Sequence, residues 1–161
     1  MSAAVVPTRR DLHFVHLDQV VSDAEAMAIA QKTGKLHEIG NWTLGQICGH
    51  LAAWMNYSFD GAPIRMAPWP IRMVVRVVMK NRMIHKPMRP GAKIPGVPGG
   101  TAGTEVLPTD EGLERLRKAV ARLQSSVPAA PHPLLGPLTH DQWKQLTLRH
   151  SELHLSFLHA D

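Results

Sequence analysis

The chain has 161 residues, 44% hydrophobic and 19% charged, with a formal net charge of +5. That balance fits one globular domain over residues 1–161 and excludes a disordered or fibrous chain. A single cysteine, Cys48, excludes an internal disulfide and a CxxC metal site, and no apolar run is long enough to span a bilayer. The opening "MSAAVVPTRRDLHF" also lacks the apolar core of a secretory signal, so a soluble cytoplasmic protein without membrane partners is expected.

In chain order, the pattern predicts a first helix over about Leu17–Lys32. Val20, Ala24, Met27, Ala28 and Gln31 follow its inner stripe, and Gly34 supplies a stop. No β-alternating stretch stands out, and "TGKLHEIGN" reads as a loop. A second helix is expected over about Leu44–Phe59, opened by a Thr43/Gln46 capping box, with Leu44, Ile47, Cys48, Leu51 and Met55 as its apolar face. Pro68 and Pro70 open a third, about Ile71–Ile84. Residues 87–108 are too rich in Pro and Gly for regular structure. A fourth helix follows over about Thr109–Leu123, with Leu113, Leu116, Val120 and Leu123 at helical spacing. Pro128–Pro137 reads as a rigid connector, and a Thr139/Gln142 capping box begins a last helix reaching about Leu158. The expected fold class is all-α: an antiparallel four-helix bundle with an excursion at 62–107 between the second and penultimate helices.

The excursion is basic. Between Ala62 and Val106 lie Arg65, Arg72, Arg76, Lys80, Arg82, Lys86, Arg89 and Lys93 against the single acid Glu105. Such a stretch attracts anions, whether a small ligand, a membrane surface or nucleic acid, although a solvated face is an equal reading. The absence of interleaved aromatics in the basic stretch argues against stacking recognition of nucleic acid.

The last helix carries the chemistry. With Trp143 set at zero and roughly 100° per residue, His150 and His154 fall about 20° either side of it, mid-way across the apolar face. Two inward imidazoles one turn apart leave four ring nitrogens needing partners, and a divalent metal ion satisfies such a pair. His50, on the flank of the second helix's apolar face, is the candidate third ligand, giving a facial three-histidine site with open positions. "HSELH" is not the HExxH motif, since Glu152 is turned to the outer face. His140 is expected to pack partly exposed near the cap and His159 to point outward. His13, His16, His37, His85 and His132 lie in termini or loops without a ligand role. Ser58, Thr147 and Asp23 are candidate polar partners of the histidines, and Cys48 reads as a small hydrophobe.

"GNWTLGQICGHLAAW" (Gly40–Trp54) and "GPLTHDQWKQLTLRHSELHLSFL" (Gly136–Leu158), with "DLHFVHLDQVVSDAEAMA" (Asp11–Ala28), resemble the DinB/YfiT-like superfamily of metalloenzymes, in a branch of uncharacterised function. The resemblance covers about the first 60 and last 50 residues and leaves the basic excursion least matched. It implies a four-helix bundle, often dimeric, holding zinc or nickel through one histidine of the second helix and an HxxxH pair of the last. By position these are His50, His150 and His154. It further implies either thiol S-transfer with a low-molecular-weight thiol or hydrolysis of a small molecule, and leaves open which.

Two functions are therefore expected to compete. The first is a metal-dependent enzyme whose ion activates a thiol or water, with Arg72, Arg76 or Arg82 steering an anionic substrate. The second is a non-catalytic helical binding module, for which Val74, Val75 and Val78 beside Arg72 and Arg76 form a basic amphipathic surface.

Overall fold

The computed structural model describes residues 8–161. Five α-helices dominate: α1 (Leu17–Lys32), α2 (Leu44–Asp60), α3 (Trp69–His85), α4 (Thr109–Ser125) and α5 (His140–Leu155). α2 packs mainly on α4, α1 bridges α4 and α5, and α5 touches both α2 and α3. The common core takes Val20, Ala24 and Met27 from α1, Leu44, Ile47, Leu51 and Met55 from α2, Leu113, Leu116 and Leu123 from α4, and Trp143 and Leu155 from α5. Cys48 lies fully inside it, where burial pushes the thiol up to about 12, consistent with a packing role. No described helix is long and apolar enough to cross a membrane.

Helix boundaries follow local chemistry. Thr139 Oγ1 accepts the Gln142 N–H at 3.2 Å while Gln142 Oε1 accepts the Thr139 N–H at 3.1 Å, the full capping box. At α2 only half of the expected box forms. Thr43 Oγ1 accepts from Gln46 N–H, but the Gln46 amide donates to the Thr104 carbonyl at 3.0 Å, tying the excursion to α2. The α2–α4 crossing is close because it is built on glycine. A Cβ on Gly45 would strike the Leu107 carbonyl oxygen, and one on Gly112 the Gly45 carbonyl oxygen.

Four expectations are corrected. Gln31 is exposed and accepts a 2.7 Å hydrogen bond from Thr109 instead of joining the α1 stripe. The last helix ends at Leu155, not Leu158, because Arg10 reaches its final turn: the Arg10 N–H donates to the Ser156 carbonyl at 2.9 Å and Arg10 Nη2 to that of Leu155 at 3.0 Å. The released chain forms strand β2 (Leu158–Ala160), antiparallel to β1 (Leu36–Glu38) inside the supposed loop, with His37 opposite His159. The fold is thus mainly helical with a two-stranded ribbon; three-residue strands are too short to show as alternation. Finally, Val75 of α3 turns partly inward, while Trp69, Val74, Val77 and Val78 are exposed, Val77 at 79%.

Candidate metal centre

Helix geometry brings His150 and His154 onto one line of α5, and the packing of α2 brings His50 against them. His50 Nε2 lies 3.2 Å from His150 Nε2, and His154 Nε2 lies 3.0 Å from His150 Nε2. Each of the three rings offers one nitrogen, and these donor atoms lie within 4.8 Å of one another. Donors about 2.1 Å from one ion stand about 3.0 Å apart at octahedral angles and about 3.4 Å apart at tetrahedral ones. The two separations to His150 fall in that interval and the third pair lies within 4.8 Å, so a small movement of His50 or His154 would let the three nitrogens close on one divalent ion.

Protonation sharpens the fit. His50 Nδ1 lies 3.0 Å from the Ala102 carbonyl oxygen, which can only accept, so Nδ1 carries the proton. Burial lowers His50 to about 4, so its ring is neutral at pH 7 and its Nε2 presents a bare lone pair to the cluster. Burial, then the other imidazoles, hold His150 well below its usual range, and His154 falls to about 3 for the same reasons with Arg9 adding to the effect. A single proton on His150 Nε2 can face only one of its two neighbours. Three neutral imidazoles this close leave nitrogen lone pairs opposed, and a cation removes that conflict.

Aromatic rings wall the cluster. Trp42 stacks on His154 with 5.1 Å between centroids and 5° between planes, and meets His50 edge-on at 4.8 Å. Trp54 lies edge-on to His150 at 5.7 Å and donates its indole N–H to the same Ala102 carbonyl at 3.2 Å. The excursion completes the wall at Gly103, whose positive φ of 71° and close approach to Ala53 leave no room for a side chain.

A family model matches residues 6–161, and that family is described as a protein of unknown function, DUF1569. The chain belongs to this family. No curated protein and no solved structure matches it.

In this DUF1569 chain the three histidines singled out from the sequence are brought together, while other readings change. Glu152 does not face outward. It is buried, accepts the Phe14 N–H at 2.6 Å and lies 2.8 Å from the Arg149 guanidinium, on a different side of α5 from the triad. Its carboxyl is raised, first by burial, with the Phe14 N–H and Arg149 opposing. His132 lies in the connector between α4 and α5, as expected, but is not exposed there: it is buried between Trp54 and Trp143, falls to about 4 by desolvation, and accepts the N–H groups of Leu134 and Leu135 on Nδ1. His140 does pack partly exposed, its Nε2 2.5 Å from the Leu123 carbonyl. Asp23 is held bidentate by Arg10, and Ser58 donates to the Met55 carbonyl, so neither supports the triad. The support comes from Ala102, Trp42 and Trp54. The proximity of Trp42 and Trp54 to His50 in sequence was a readable signal; Ala102 gave none, because a backbone carbonyl has no sequence signature.

Proposed function

We propose that this protein is a metal-dependent enzyme in which His50, His150 and His154 hold a divalent ion, zinc or nickel, beside open positions for a small-molecule ligand. The observation that carries the reading is the convergence of three neutral imidazole nitrogens, one of them oriented by the Ala102 carbonyl. When bound, the ion would lower the pKa of a thiol or a water in an open position, the chemistry of a thiol S-transferase or of a hydrolase. The chain's own contribution is to keep the ligand nitrogens unprotonated by burial, fix the His50 tautomer, and exclude water with Trp42 and Trp54. Glu152 is committed to Arg149 and Phe14 and offers no general base. The DinB/YfiT-like resemblance adds to the reading, with α1, α2, α4 and α5 as the four-helix bundle and α3 within the excursion.

A second reading, a helical interaction module, draws on the exposed apolar side of α3, where Trp69 is 67% and Val78 70% exposed. On that reading a homodimer buries this face, and Val77→Asp leaves a monomer in analytical ultracentrifugation.

The enzyme reading is tested by elemental mass spectrometry of tag-free protein beside His150→Ala. Near-stoichiometric metal in the first and none in the second is expected. Absence of metal in the unaltered protein after incubation with zinc and nickel would overturn it.

A further inference from the structure

A second feature of the surface lies just beyond the His154 end of α5. A cleft of about 670 Å³ opens between the described N-terminal segment, the second half of α3 and the turn that follows it. Four cations line it, Arg9, Arg82, Lys86 and Arg89, and no carboxylate does. Among the described residues none of the four forms an ion pair, whereas Arg10, Arg115, Arg117, Arg122 and Arg149 all do. Residues 1–7 carry no acidic side chain either.

The cleft is shaped in advance. Pro87 and Pro90 fix the backbone on either side of Arg89, and Met88 between them packs against the core, so the guanidinium projects from a restrained turn. Arg9 is held by its Nε–H donating to Ser156 Oγ at 2.9 Å, with its guanidinium over the Phe157 ring at 4.8 Å. Ser156 lies two residues beyond His154, so Arg9 anchors one wall of the cleft near the triad's end of α5. Four like charges converging on one concavity repel each other, and an anion with two or more charges relieves that repulsion while guanidinium forks bind its oxygens.

We propose that this cleft binds the anionic end of a small substrate, a phosphate-bearing or polycarboxylate group, and holds it beside the histidine centre. The orientation toward the triad rests on the metal-centre reading; anion binding itself does not. A volume of this size suits a small molecule.

Calorimetric titration of metal-free, full-length protein with inorganic pyrophosphate and, separately, with citrate tests it and tells phosphate from carboxylate. Saturable binding of at least one is expected, weakened about tenfold by Arg82→Gln or Arg89→Gln and about twofold or less by Arg65→Gln outside the cleft. Both cleft residues are exposed, so these variants fold. No saturable binding of either anion, or equal weakening by all three substitutions, would overturn the proposal. So would tighter binding of a single-stranded oligonucleotide that displaces pyrophosphate, which would make the patch a nucleic-acid surface. Zinc uptake is measured on the same samples. Anion binding lost with zinc retained isolates the cleft, while zinc uptake absent from the unaltered protein with anion binding intact is failure of the metal centre alone.

Discussion

Helix α5 carries two polar clusters, and they are built on opposite principles. On one side Arg149 and Glu152 face each other at 2.8 Å, with the Phe14 N–H on the carboxylate and the Phe14 carbonyl on the guanidinium. Each charge meets its opposite, although Glu152 Oε2 and Arg149 Nε find no protein partner. On the other side His50, His150 and His154 bring together three groups of the same kind. The first cluster is finished by the fold and fastens the segment before α1 to α5. On the proposed reading, the second is completed by an ion that the chain does not itself supply. Opposite charges in contact hold the fold together, whereas three matched nitrogen donors are what the proposed metal centre would use.

That contrast sets the order of expected effects. Glu152→Ala strands the Arg149 charge in the interior and should cost about 3–5 kcal/mol in urea denaturation; a loss below about 1 kcal/mol would break the comparison at its structural half. Gly45→Ala tests the scaffold that brings α2 and its histidine into place. The added methyl meets the Leu107 carbonyl, and about 1–3 kcal/mol should be lost. In metal-free protein, acidification should unfold the histidine side first. Free imidazoles titrate near 6.5, whereas His50 and His132 are lowered to about 4 and His154 to about 3. Between these values the unfolded chain binds protons that the native one refuses, so stability is present above pH 6.5 and falls as pH drops, by at most about 1.4 kcal/mol per pH unit for each imidazole. Thermal melting at pH 7.5, 6 and 5 checks the sign; a flat profile would show that the rings are not held neutral. The smallest effect belongs to His150→Leu without metal, which should stay within about 1 kcal/mol of the unaltered chain or exceed its stability, because it removes an opposed lone pair.

Most of the helical framework was legible in the sequence, and so was the triad, for one reason: both are periodic. Leu17–Lys32 is bounded in the structure where its apolar stripe and Gly34 place it, and His150 and His154 share the helical period of Trp143. What was not legible depends on tertiary contact. Glu152 sits where a polar face would point outward, but Phe14 folds across it and converts that face to interior. The end of α5 is decided by Arg10, 145 residues earlier than the Leu155 carbonyl it binds. His132 lies in a Pro-rich connector that gives no sign of being packed between two indoles. The basic excursion was the least interpretable segment, yet its Ala102 carbonyl orients His50.

The central claim is that the three imidazoles act together on one ion. Zinc K-edge X-ray absorption on stoichiometrically loaded, tag-free protein measures this directly. Three imidazole nitrogens at about 2.0 Å, with lighter-atom ligands completing the shell, are predicted, falling to two in His50→Ala. Fewer than three imidazoles in the unaltered protein, or a spectrum unchanged by His50→Ala, would contradict the account.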